Sequence, residues 1–415
     1  MKKNLILRTL PLAILAIAGC RDATGPSLQN RSPLLAKQPS NGVWTVNSLD
    51  DPGVGSCTSA YCTLRQAIAA ALAGDVITFK SSLTGTIKLT AGEFLITRTL
   101  TVDGGSRITV DAQGGSRLFH ITGGSVALSG LTLTGGAESI GGGIFNGATL
   151  TLNNMTVSGN AAIDGGGLGG GGIISLSGST LTLINTTVAE NSAVSNGGGI
   201  DNWGVLTVTG STIADNSTAN GGIGGGISNH GVGASVDIRN STISGNYSGN
   251  GGGIYNERTL SVRSTTVTAN QAGTAAGGVF QQAGGSGIVE NTIVAGNSAG
   301  VGNTDCVAGW ASEGHNITSD GNCGFTATGD VVVAPSQVFT EVLSPTLANN
   351  GGPTKTHALI ERGRAVDAGY CPGETADQRG FVRPYDDTRM PNALDACDIG
   401  AFEWQPASGG KSPKH

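Results

Sequence analysis

From residue 141 onward, apolar and polar positions recur in a fixed order. A glycine run leads into Ile144, Ile173, Ile200, Ile227, Ile254 and Val279, spaced 29, 27, 27, 27 and 25 residues apart. An alternating segment follows, such as Leu150-Thr151-Leu152, Leu181-Thr182-Leu183 or Leu206-Thr207-Val208. Next comes a threonine before an aliphatic residue, at Thr156, Thr187, Thr212, Thr242, Thr266 and Thr292. Each unit closes on Asn160, Asn191, Asn216, Asn246, Asn270 or Asn297. Alternation at period two places the apolar side chains on one face of a strand. Strands this short cannot bury that face alone, but stacking equivalent units buries it. The pattern predicts an all-β fold: a right-handed parallel β-helix with three strands and about 27 residues per coil. At about 4.8 Å per coil, six such coils make a column of about 29 Å. The G-G-x-G-x-D calcium repeat is absent, which disfavours a calcium-stapled β-roll.

The corners between strands carry glycine, which reaches positive φ without a Cβ clash, and asparagine, which tolerates the same region. Stacked asparagines are expected to bond from coil to coil, a structural role. Asn146, Asn202, Asn229 and Asn256 form a second such series, interrupted by Ser175 and Gln281. Ahead of the repeats, Thr63 and Gln66 fit a capping box. Apolar residues at Leu64, Ala67, Ile68, Ala71 and Leu72 follow a helical stripe, and Gly74 stands where a C′ glycine belongs. This helix is expected to cover the first coil and its open strand edge. Strands are expected at Val76–Phe79, Gly85–Leu89 and Leu100–Asp103.

The first nineteen residues read as an export signal, with Lys2, Lys3 and Arg8 before a short apolar stretch. It ends in Ile17-Ala18-Gly19-Cys20, which resembles the bacterial lipobox. That resemblance implies lipidation at Cys20 and an exported protein anchored in the outer membrane, at the cell surface or on its periplasmic face. Arg21, where an inner-membrane retention aspartate often stands, points the same way. The organisation expected is a signal over 1–19 and a lipidated cysteine with flexible tether over 20–42. An N-terminal cap and first coils occupy 43–140, regular repeats 141–300, a C-terminal region with a disulfide-containing cap 301–404 as a whole, and a disordered tail 405–415.

Composition then narrows the classes. Glycine makes up 70 of 415 residues without a collagen period, and aromatics only 4%. A formal net charge of −6 argues against nucleic acid as a partner. Apart from Cys20, six cysteines fall in three sequence-local pairs, Cys57/Cys62, Cys306/Cys323 and Cys371/Cys397. In an exported chain these read as disulfides, although six cysteines allow 15 connectivities. No pair has CxxC spacing and no histidine accompanies them at ligand spacing, so no metal site and no cofactor is expected.

Three family resemblances overlie this reading. The Gly-Gly-x-[Ile/Val] and Thr-[Ile/Val]-x-x-Asn pair resembles the repeats of polymorphic outer-membrane proteins, with threonine or a neighbouring apolar residue in place of their phenylalanine. Cys62-Thr63-Leu64-Arg65-Gln66-Ala67-Ile68 resembles the CSLREA motif of bacterial surface proteins, in which it precedes parallel β-helix repeats. Residues 300–404 resemble the choice-of-anchor Q domain. They carry Gly314-His315-Asn316-Ile317, then Asn349-Asn350-Gly351-Gly352-Pro353, and later Ala365-Val366-Asp367-Ala368-Gly369 and Asp398-Ile399-Gly400-Ala401-Phe402-Glu403. These resemblances imply a surface-attached β-helix with no assigned activity.

Many parallel β-helices act on polysaccharide, so catalysis has to be weighed. A lyase needs a cationic base, Lys or Arg, but no lysine occurs between Lys88 and Lys355, and between Arg117 and Arg362 the only arginines are Arg239, Arg258 and Arg263. A glycosidase needs two carboxylates about 5–9.5 Å apart. Asp201, Asp215 and Asp237 are scattered, and the cluster to watch is Asp201 with Ser175, Asn229 and His230. His120, His315 and His357 stand alone in the sequence. Asp367, Asp377, Arg379, Arg383, Asp398 and Glu403 form either a salt-bridged cap or a cation site. Phe145, Trp203 and Tyr255 are expected at neighbouring corners, where exposed rings would stack on sugars and buried ones would simply terminate the core. The expected function is a non-catalytic structural, adhesive or glycan-binding module. Its partners would be membrane lipid and a polysaccharide or a neighbouring cell surface. The alternative is a polysaccharide lyase or glycoside hydrolase of the pectin-lyase-like type.

Overall fold

A computed structural model describes residues 42–406, apart from 220, 303 and 308. The repeats form a parallel β-helix. Apolar residues of equivalent strands stack in register, as in the line Val126, Leu150, Leu181, Leu206, Val236 and Leu260. All are buried, and with the anchor residues from Ile144 to Val279 they make one continuous core.

Each coil from Ile144 to Ala299 contains four strands, one more than expected. In one coil they are Ile173–Ser175, Thr180–Ile184, Thr187–Ala189 and the two-residue Ser192–Ala193. The second and third belong to one 20-stranded sheet bent at a corner. The first and fourth build sheets of eight and seven strands. Two-residue strands such as Ser192–Ala193 and Ser217–Thr218 have no room to display alternation, so their pattern resembles a loop. The bend in the long sheet is made by left-handed residues, two at Gly105-Ser106 and single ones such as Asn154, Asn185, Asn240 and Asn291.

The glycine runs act in two ways. Gly197 has φ 58°, as a corner glycine should. Gly198 does not need positive φ; its Cβ would stand 2.4 Å from the Ser217 carbonyl oxygen and 2.6 Å from that of Gly225. Close coil-to-coil approach, not φ, excludes a side chain there.

Both asparagine series bond as expected. Along Asn160, Asn191, Asn216, Asn246, Asn270 and Asn297, each side-chain amide donates to the next side-chain carbonyl oxygen, at 2.8–3.0 Å. In the second series Asn202, Asn229 and Asn256 bond onward to Gln281 Oε1, whereas Asn146 donates to Ser175 Oγ, which turns to Ser179 of its own coil instead of Asn202.

At the N-terminal end, helix α1 (Leu64–Ala70) starts with the expected reciprocal capping box between Thr63 and Gln66. It ends earlier than expected. Ala71 is already extended, Leu72 is 53% exposed, and the Leu72 amide is held by Asp75 Oδ2, so Gly74 lies beyond the cap. Buried Leu64, Ala67 and Ile68 cover the core beside Val43–Val46, a first strand that pairs with Val76–Phe79.

The C-terminal region does two separate things. Trp310–Gly314, Ile317–Thr318 and Val331–Val332 continue the long sheet, and the Cys306–Cys323 disulfide, Trp310 and Phe325 close the core. Beyond residue 334 the chain leaves the end and packs along the flank of the column. There an antiparallel hairpin, Leu343–Ala348 and Thr356–Leu359, joins Val338, Val342, Val366, Ile399 and Phe402 around Ile293 and Ile317. The cap is therefore confined to about 301–333. Disulfides Cys57–Cys62 and Cys371–Cys397 complete the pairing by sequence neighbours.

Candidate functional site

The eight-stranded sheet is built from three-residue strands, so its outer and inner residues alternate simply. First and third residues, such as Ile200 and Asn202, join the buried ladders. The middle residues make a second line in register, pointing away from the core: Leu95, His120, Phe145, Ile174, Asp201, Ser228, Tyr255 and Phe280, of which Ile174, Asp201, Ser228 and Tyr255 are buried. Trp203 and His230 follow the strand ends in adjacent coils. Phe145 and Tyr255 are therefore strand residues rather than corner residues, whereas Trp203 sits in the bend between Ile200–Asn202 and Val205–Thr209, at a corner as expected.

This face has three stations. At the first, Glu93 holds both Arg117, at 2.7 Å, and His120 Nδ1, at 2.8 Å. Arg117 is itself fixed to the carbonyls of Ile140 and Gly141. The His120 ring meets Phe145 edge-on at 4.6 Å, with Leu95 half exposed beside it. At the middle station Asp201 is fully buried; one oxygen meets His230 Nε2 at 2.5 Å and the other accepts the Gly169 amide at 2.9 Å. The His230 ring packs on Trp203 at 4.1 Å. At the third station Tyr255 and Phe280 stack with ring centres 5.2 Å apart and planes 5° from parallel. Burial and the Glu257 carboxylate push the Tyr255 phenol up to about 12.

The structure joins only part of the expected cluster. Asp201 and His230 meet, but Ser175 and Asn229 turn inward into the bonding ladder. Asp215 sits at an exposed left-handed corner, its carboxyl raised by desolvation and by Glu190. Asp237 lies on the long sheet, with Oδ2 held by Arg239 at 3.0 Å. These three carboxylates do not converge. His315 is bound to the Ala368 carbonyl, and buried His357 lies between Ser244 Oγ and the Ser344 carbonyl. Burial holds the His357 imidazole below its usual range.

The acidic and basic residues near the C-terminus form salt bridges: Arg383 to Glu403 at 2.8 Å, both buried, and Arg379 to Asp377 at 2.7 Å. Asp398 Oδ1 accepts the Asp367 amide. Cys20 lies outside the described residues.

Sequence reasoning missed Glu93, Arg117 and Phe280, and it took His120 for an isolated side chain. A signal was available: Phe94, Phe119 and Ile144 are 25 residues apart, so the coil repeat begins two turns before the first long glycine run.

Aromatic rings in fixed orientation offer flat apolar faces, and neighbouring polar groups can fix the orientation of a ligand. The one carboxylate on this face that has a histidine partner in the central station is enclosed and bonded at both oxygens. No family model matches the chain, and no curated protein matches it. Among solved structures it is similar to the crystal structure of pectate lyase Pel9A. That likeness has 16% identity and a TM-score of 0.45 over 88% of this chain and 96% of the other, too distant to bear on function.

Proposed function

We propose that this is an exported, lipid-anchored surface β-helix that binds carbohydrate on the outer face of its eight-stranded sheet without cleaving it. The observation that carries the binding face is the set of half-buried rings His120, Phe145 and Phe280 on one line of one sheet, the last backed by buried Tyr255. The non-catalytic half rests on Asp201, which is used internally, and on the separation of Asp215 and Asp237 from it. The lipobox at Cys20 and the CSLREA-like and choice-of-anchor Q-like segments support attachment to a surface.

The test uses the chain with Cys20→Ser, screened against immobilised neutral and uronate polysaccharides. Phe145→Ala and Phe280→Ala should each weaken retention by about tenfold, the scale of 1.4 kcal/mol. New reducing ends or unsaturated products, lost on Asp201→Asn, would replace this reading with a polysaccharide lyase or hydrolase. Anchoring has its own assay: labelled fatty acid should enter the protein and disappear with Cys20→Ser.

A further inference from the structure

The bent edge of the long sheet carries a second outward line, one threonine per coil in register. Thr86, Thr109, Thr132, Thr156 and Thr187 form its open half. Thr212, Thr242 and Thr266 continue it beneath the C-terminal region. There the contacts are largely to main chain. Thr212 Oγ1 donates to the Lys355 carbonyl at 2.6 Å, and the Ala401 amide donates to Thr266 Oγ1 at 3.1 Å. Thr354 Oγ1 donates to the Gly210 carbonyl at 2.8 Å, and the Gln378 side chain bridges Thr212 and Thr242.

The open half forms a groove of about 590 Å³, walled by the hydroxyl line and the corner residues Asn154 and Asn185. Pro353, from the C-terminal region, borders it, so the groove continues the bed in which that region lies. We propose that this groove seats an extended polypeptide strand of a partner, its main-chain groups taken by the free threonine and asparagine side chains. Continuity with the occupied half favours polypeptide. Among the described residues, the lining has no aromatic ring for a sugar to stack on, and Arg107 is its one charged side chain, which favours an uncharged strand over an anionic polymer. Paired hydroxyl and amide groups suit a backbone whose donors and acceptors all need partners. This surface is separate from the ring-bearing face and does not depend on carbohydrate binding there.

The probe is a fluorescent peptide copying residues 350–359, the chain's own strand at the edge of the bed, added to the full chain carrying Cys20→Ser. Saturable binding is expected, weakened at least about tenfold by Thr156→Arg and unchanged by Thr182→Arg on the other part of the long sheet. A photoreactive copy on the chain without either threonine change should crosslink within residues 106–187, a readout that needs no groove variant to fold. Absence of saturable binding would overturn the proposal. So would crosslinks elsewhere, insensitivity to Thr156→Arg, or displacement of the chain's own strand seen as lost exchange protection at Thr356–Leu359. Neutral oligosaccharide binding sensitive to Thr156→Arg, without peptide binding, would assign the groove to carbohydrate instead.

Discussion

Inside the column, polar side chains are held as tightly in place as the apolar ones. Asn216 is fully buried, donates to Asn246 Oδ1 at 2.9 Å and to the Val188 carbonyl at 3.0 Å, and accepts from Asn191. Leaving a buried donor or acceptor unmatched costs about 1–3 kcal/mol, so Asn216→Ala should destabilise the fold by about 2–4 kcal/mol. Asn196 makes one side-chain bond, to the Gly167 carbonyl near the surface, and Asn196→Ala should cost under about 1 kcal/mol. Denaturant titrations of the two variants check this contrast; equal losses would refute an energetic role for the ladder. The same ladder separates Ser175 from the reactive cluster in which the sequence pattern puts it. Linear sequence places it near residues that face outward, whereas the strand register turns it inward against Asn146.

At the scale of elements, the asparagine line ends on a carboxylate. Asp305 Oδ1 accepts from the Asn297 amide, and Oδ2 accepts from Ser319. Burial pushes this carboxyl up to about 6, the bonds from Ser319 pull it down, and Asp320 adds to the rise. The folded form therefore retains a proton that the unfolded chain loses from about pH 4 upward. Stability of the closing segment should fall as pH rises from about 4 to 6 and level off above. Asp305→Asn should remove that slope, measured as protection factors at the Asn297 and Ser319 amides; identical slopes in both proteins would contradict the assignment.

Elements with a repeated physical demand were legible in the sequence: the strand ladders, the capping box of α1 and the corner glycines. The fourth strand was not, because in most coils it has only two residues and displays no period. Gly74 misled because helix α1 stops where the Asp75 carboxylate takes the Leu72 amide, a contact that helical periodicity does not encode.

The whole molecule combines a tolerant repeat with a strap keyed to particular rungs. Repeat proteins gain stability from neighbouring units, so removal of one unit that keeps every ladder in register should be survivable. Deleting 144–172 joins Gly143 to Ile173 and removes a coil that the strap does not bridge through Gln378. Deleting 200–226 joins Gly199 to Ile227 with equal continuity, but removes Gly210 and Thr212, which hold Thr354, Lys355 and Gln378. This difference was not legible in the sequence, since contacts such as Thr242 to Gln378 span 136 residues and leave no local pattern. The ring-bearing face was partly legible for the complementary reason: its residues recur at coil spacing, but which of them stay exposed depends on the glycine-rich turns above Asp201. Both deletion variants should therefore retain a cooperative β-sheet unfolding transition. Only the loss of 200–226 should lower exchange protection at Thr356–Leu359, by at least about tenfold, because those amides depend on docking rather than on the column. Equal protection in both variants would show that the C-terminal region holds itself together without reading the rungs beneath it.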